Sequence, residues 1–404
     1  MTSNGYLSRA QEYGLAATTA VVTANAYYIH PIIGEVADGF GVSHARIGMV
    51  PALNQLALAV GILLLLPLGD RYSNKRLSIA FVSLQTLFML GMALADSFEM
   101  FTAASTLLGF VTIAPYLLPA FASKRVAPER LGEVMALLTA GVIFGILVAR
   151  VGAGIVAEHF GWRPVYFIAA ALMVAVTAML PVAMRSEPAA EKHPKGTYRE
   201  LVVSVFTLAR EYREVLVSAS IQALNFGMFI ATWLGLALHL TSPQLGYGVD
   251  TVGYLAGIAV VSIFATPRIG RWADRVGPRR ARFYAAIVQL LGVCLFYPLG
   301  FSALSVLVPL ILVNLVGPSV DVTGRMTFLS LEPHIRTRLT TIYIVIMFIG
   351  GGIGSLAGTA TYDHFGWAGT CGLLIISSLL VVALSGFAAR KWRPREDSNL
   401  RHLD

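Results

Sequence analysis

Leu66-Pro-Leu-Gly-Asp-Arg-Tyr-Ser-Asn-Lys-Arg76 sets a short charged turn between two long apolar runs, and the chain repeats it as Gly270-Arg-Trp-Ala-Asp-Arg-Val-Gly-Pro-Arg-Arg280. Asp70-Arg71 matches Asp274-Arg275, and Lys75-Arg76 matches Arg279-Arg280, each at an offset of 204 positions. Charged loop residues that keep register across half a chain imply two related halves. A second pair agrees: Glu158-His-Phe-Gly-Trp162 and Asp363-His-Phe-Gly-Trp367 lie 205 positions apart.

The apolar runs around these turns decide the class. Hydrophobic residues fill 56% of 404 positions and charged ones only 13%, with a mean hydropathy of +0.71. A soluble domain carries roughly 25% charge, so this chain cannot cover a water-facing surface. Backbone polar groups in hydrocarbon must be satisfied internally, which leaves helices or a closed barrel. Segments 56–68 and 373–384 are apolar on every side, without the alternation of barrel strands, so the spans are helical.

A window of about 20 residues predicts twelve spans: 13–34, 47–68, 77–95, 100–122, 133–156, 164–184, 214–239, 251–269, 282–300, 304–328, 339–360 and 367–389. The polar stretch 185–213, with Pro188, Pro194 and Gly196, divides an N-terminal six-helix bundle (1–184) from a C-terminal one (214–389), and a tail (390–404) follows. With the N-terminus inside, all but Arg46, Arg150 and Arg163 of the 30 Lys and Arg fall on one side, which the charge bias of membrane insertion makes cytoplasmic. Both termini are therefore expected in the cytoplasm. The first apolar run is too long for a cleaved signal and is read as the first span. The same topology accounts for the net charge of +8 without nucleic acid. Cys294 and Cys371, the only cysteines, lack metal or disulfide spacing and read as two small buried side chains. Spans 5 and 11 are rich in glycine (Gly141, Gly145, Gly152, Gly154; Gly350, Gly351, Gly352, Gly354, Gly358), which predicts faces packed closely against the other half.

The turn at Asp70 resembles the loop between spans 2 and 3 of the major facilitator superfamily, Gly-x-x-x-Asp-Arg-x-Gly-Arg-Arg, with Leu66 and Ser73 in place of its glycines. The second copy is closer to pattern, with Gly270 and Gly277, which suggests that it packs more tightly. Asn25-Ala-Tyr-Tyr-Ile-His-Pro-Ile-Ile33, Leu66-Pro-Leu-Gly-Asp-Arg71 and Phe348-Ile-Gly-Gly-Gly-Ile-Gly-Ser355 are similar to a bacterial drug/metabolite:proton antiporter branch of twelve-span efflux proteins. The Gly-Pro pair of the antiporter signature in span 5 is absent, and Leu147-Val-Ala-Arg150 stands there. The resemblance implies an all-α membrane protein of two pseudo-symmetric bundles working by alternating access in the bacterial inner membrane, as a monomer, with protons as coupling ion and no cofactor. It also implies that Asp70 and Arg71, and likewise Asp274 and Arg275, form gating latches against spans 11 and 5.

Ionisable groups at membrane depth are costly and usually functional. Arg150 lies about two-thirds of the way along span 5 and matches Ser355 in the other half. It reads as the binder of an anionic substrate group or of a coupling carboxylate, or as a structural partner of Glu35. Asp321, one turn before Arg325 and just after Gly317-Pro318, suits a local ion pair or a proton site. Glu35 and Asp38 lie at the outer mouth, and His30 stands where the similar proteins carry a hydrogen-bonding Gln. The resemblance puts spans 1, 4, 7 and 10 around the cavity. That makes Asn25, Tyr28, Gln222, Asn225 and Asn314 candidate substrate contacts, although such amides also join helices. Asn54 and Gln55 belong to the same polar set, and Tyr116, Phe226, Phe229 and Trp233 could form an apolar wall.

The expected function is secondary transport, with proton-coupled efflux of small organic molecules ahead of uptake or facilitated passage of a small metabolite, anions included. An enzyme would need a nucleophile, metal or nucleotide motif, and the chain has none. A non-transporting membrane sensor would need an appended signalling domain.

Overall fold

The computed structural model describes residues 6–185, 197–328 and 333–391; Pro188, Pro194, Gly196 and the segment 392–404 lie outside them. Among the described residues every element is helical. In chain order these are α1 (Arg9–Ala24), α2 (Ile29–Phe40), α3 (His44–Ile47), α4 (Met49–Leu65), α5 (Asn74–Ala93), α6 (Phe98–Phe110), α7 (Ala114–Ser123), α8 (Leu131–Phe160) and α9 (Trp162–Ala183). They continue as α10 (Tyr198–Glu211), α11 (Arg213–Leu240), α12 (Val249–Ala256), α13 (Val260–Val276), α14 (Pro278–Cys294), α15 (Ala303–Met326) and α16 (Pro333–Lys391). Nine helical segments among the described residues are long and apolar enough to cross a membrane. The last, Ile335–Arg390, bends at Gly366, whose φ of 60° and ψ of −150° are open to glycine and hostile to other residues.

Several apolar runs that read as single helices are broken, and proline explains two of the breaks. Pro31 has no N–H for the Tyr27 carbonyl, which instead accepts from the His30 amide at 3.2 Å where α1 gives way to α2. Pro115 likewise cannot serve Val111, whose carbonyl accepts from Ile113 N at 2.9 Å between α6 and α7. The linker also differs from expectation, because its second part forms α10. Thr197 and Glu200 make a reciprocal cap at its start. Leu201, Val205 and Ala209 then bury one face against α16 and the 3-10 turn Leu66–Asp70.

The glycine-rich helices approach their neighbours closely, in two directions. A Cβ added at Gly154 would lie 2.7 Å from the Val249 carbonyl of α12, and one at Gly352 would lie 3.1 Å from the Ala52 carbonyl of α4. These two face the other half, as expected. Gly141 and Gly145 face α1 instead, and Gly350 and Gly354 face α11, so most of the glycines tighten packing within one half. Cys371 is buried, but Cys294 is exposed. An apolar run does not distinguish the core side of a helix from its outer side, and the expectation for Cys294 fails for that reason.

Candidate functional site: a caged arginine beneath a closed end

Arg150 is 1% exposed, and helices from both ends of the sequence surround it. The break after Ala24 places Tyr27 and His30 on one side of the guanidinium, and α11 supplies Phe229 and Trp233 on the other. Its carbon centre lies 5.3 Å from the Tyr27 ring, 4.7 Å from Phe229 and 4.5 Å from Trp233. Nη2 donates to His30 Nδ1 at 3.0 Å, and Nε has no partner. A guanidinium can only donate, so His30 Nδ1 is an unprotonated acceptor and the ring is the neutral tautomer with its proton on Nε2. No carboxylate pairs with Arg150 among the described residues. The structural pairing with Glu35 is thereby corrected: the groups whose charge Glu35 feels are Glu158 and Asp38. Ring faces supply about 0.5–2 kcal/mol each to a cation, short of what burial of a lone charge costs. The site is therefore a positive charge incompletely neutralised.

Above this cage the molecule is shut. Glu158 Oε2, near the end of α8, accepts from the Val249 amide at 2.8 Å and so caps α12. Its repeat partner Asp363 lies 3.9 Å from Nδ1 of His44, the first residue of α3. His44 and Val249 are also 205 positions apart, so in both halves the repeated acid lies against the matching helix start. Ser355 adds a bond to the Gly48 carbonyl at 2.9 Å. Toward the other end α8 lies on α1 and α13 packs on α14 and α15, while α4 and α16 stay joined through a buried cluster that includes Ile62, Leu339 and Ile342.

The remaining candidates scatter. Asn25 donates to Met173 Sδ at 3.2 Å, and Asn54 to the Ser105 carbonyl at 2.7 Å. Asn225 donates to Gln222 and to the Gly317 carbonyl, and it accepts from Gln289 at 2.8 Å. Asn314 bonds its own helix at Leu310. In this conformation Asn25, Asn54 and Asn225 join helices. Tyr28 and Gln55 are buried, and Phe226 stacks on Phe229. Arg325 clasps Asp321 at 3.0 and 3.1 Å, the local pair expected from their spacing. Asp70 is partly shielded and feels Lys124 and Arg338, the latter in the first turns of α16. Asp274 and Arg275 are exposed, and in the same second copy Arg279 clasps Glu214 at 2.6 and 2.7 Å.

Residues 15–331 match the model of the Major Facilitator Superfamily. The chain belongs to that superfamily. It is 28% identical over 387 residues to YgaY of Escherichia coli O157:H7, an uncharacterized transporter, spanning 95% of this chain and 97% of that protein. It is 24% identical over 247 residues to the multidrug resistance protein MdtG of Salmonella arizonae, covering 58% of this chain and 57% of MdtG. In fold it is similar to a bacterial homologue of the lysosomal transporter Spinster in an inward-facing, unoccupied conformation (TM-score 0.76, 16% identity, 96% of this chain and 100% of that one). The nucleoside transporter NupG is also similar, with a TM-score of 0.73, 13% identity, and 95% and 100% coverage. This superfamily member is thus an integral membrane transporter and not an enzyme.

Two features of this transporter escaped sequence reasoning. Glu158 and Asp363 served only to register the repeat, although an acid kept at both copies was itself a signal. Arg282, counted among loop charges, is fully buried in α14; Nη1 donates to Ser218 Oγ at 2.9 Å while Nε and Nη2 lack partners. Its counterpart at offset 204, Ser78, is also fully buried, which only the fold reveals.

Proposed function

We propose that the protein is a proton-coupled exporter of small organic molecules, working by alternating access as a monomer in the bacterial inner membrane. It crosses twelve times, as two six-helix bundles (1–184 and 214–389) joined by 185–213, with both termini cytoplasmic. The observation that carries this reading is the asymmetry along the helices. The contacts Glu158–Val249, His44–Asp363, Ser355–Gly48 and Gly154–Gly253 all lie at the end remote from the Asp70 and Asp274 turns. That end is the outer one in this topology, so the conformation is closed outside.

Proton coupling has a physical route at His30. A proton on Nδ1 removes the acceptor of Arg150 Nη2 and sets two cations face to face, so protonation and release of the guanidinium are linked. Glu35 and Asp321 remain the carboxylate candidates. Asp70 with Arg71 works as the inner latch, and Asp274 with Arg275 engages when the inner end closes. The resemblance to MdtG supports export. Uptake or facilitated passage of an anionic metabolite is the second reading, favoured by the uncompensated charge of Arg150.

The test is flux in sealed inside-out vesicles with an acid lumen and a metabolite mixture outside. Export coupled to protons predicts accumulation that a protonophore abolishes. Movement indifferent to the gradient contradicts coupling, and no movement contradicts transport.

A further inference from the structure

We infer that the solute handled at Arg150 is an organic anion with a flat apolar body, whose carboxylate takes the guanidinium and whose ring takes the aromatic faces. This rests on the transport reading and adds a substrate class to it. The charge balance of the interior comes first. Among the described residues, Arg150 and Arg282 are fully buried without a carboxylate bonded to either, and Asp321 is already held by Arg325. The carboxylates nearer the mouth are engaged or grouped together: Glu158 caps α12, and Glu35 sits beside Glu158 and Asp38. A cationic solute would meet net positive charge at mid-depth, and a neutral one would leave Arg150 uncompensated. An anion supplies the missing charge.

The geometry assigns the apolar part. Arg150 belongs to α8, whereas Phe229 and Trp233 belong to α11, so the cage exists only while these helices stay together. When the closed end opens, α8 carries Arg150 away from the two rings. The guanidinium then exposes Nε, unpartnered in the closed form, together with a free edge for bidentate contact. The rings are left with a vacant face of the same size. A carboxylate on an aromatic or similarly flat body fits both openings at once. In the closed protein, Arg150 occupies the ring faces.

The experiment uses purified full-length protein and three probes of one shape: 1-naphthoate, 1-naphthamide and 1-naphthylmethylamine. Binding is read by quenching of tryptophan fluorescence and by thermal shift. Naphthoate is expected to bind at least about tenfold more tightly than the amide or amine. Arg150→Gln is expected to erase that preference, and Arg150→Lys to retain most of it. Wild-type protein that binds none of the probes, or binds amide or amine as tightly as the acid, overturns the inference, as does a preference that survives Arg150→Gln. Should Arg150→Gln fail to fold, Trp233→Ala must weaken naphthoate binding while leaving acetate binding unchanged, and equal effects on both count against the aromatic half. Vesicle flux of neutral or cationic solutes alone would sink the anion assignment and leave transport standing, whereas absence of all flux would sink transport itself.

Discussion

Glu158 Oε2 accepts the backbone N–H of Val249 at 2.8 Å, and through that bond the end of one helix caps the start of another from the opposite half of the chain. A carboxylate at a helix N-terminus meets unsatisfied N–H groups and the positive end of the dipole, worth about 1 kcal/mol. Glu158→Gln keeps an oxygen acceptor and loses the charge, whereas Glu158→Ala loses both. The closed-outside population is expected to fall about fivefold in Glu158→Ala and less in Glu158→Gln. Reaction of a cysteine placed at Val252, buried in the closed form, with an impermeant thiol reagent measures it. Unchanged labelling in Glu158→Ala would remove the capping bond from the account of closure.

His30→Gln separates two roles of one side chain. Glutamine can present an oxygen to Arg150 Nη2 as His30 Nδ1 does, but it cannot take up a proton. The variant is expected to bind substrate within a few-fold of wild type and to lose the pH dependence of transport. Full pH dependence in His30→Gln would move coupling to Glu35 or Asp321.

Close packing between the halves is tested at neighbouring glycines of α8. A side chain at Gly154 would collide with Val249 and Gly253 of α12, while Gly152 has open space around its Cα. Gly154→Val is expected to cost about 1–3 kcal/mol of the closed form and to slow the cycle at least tenfold. Gly152→Ala is expected to behave as wild type, with both read by initial rates in vesicles. Equal rates in the two variants would contradict the close approach.

Asp70→Asn tests the inner latch. Removing the charge that faces Lys124 and Arg338 is expected to reduce turnover about tenfold while substrate binding changes less than twofold. Equal loss of binding would make Asp70 part of the solute path.

The class of fold was legible because low charge and repeated turns are properties of composition and spacing, and both survive without coordinates. Asp321–Arg325 was legible for the same reason, since four residues is one helical turn. The cage around Arg150 was not. Its members Tyr27, His30, Phe229 and Trp233 come from helices far apart in sequence, and the kink ahead of Pro31 aims the first two. The amides Asn25, Gln222 and Asn225 show the converse. A helix has several faces, and Asn25 and Asn225 turn toward Met173, Gln289 and Gly317 while Gln222 bonds to Asn225.

Alternation between a closed outer end and a closed inner end is the central claim, and paired spin-label distances test it most directly. On a background lacking Cys294 and Cys371, one pair takes Phe160 and Gln244 at the outer end, and another takes the exposed repeat partners Arg76 and Arg280 at the inner end. The account predicts that lowering pH or adding solute lengthens the outer distance and shortens the inner one in the same population. Two distances that stay fixed, or that lengthen together, would contradict it.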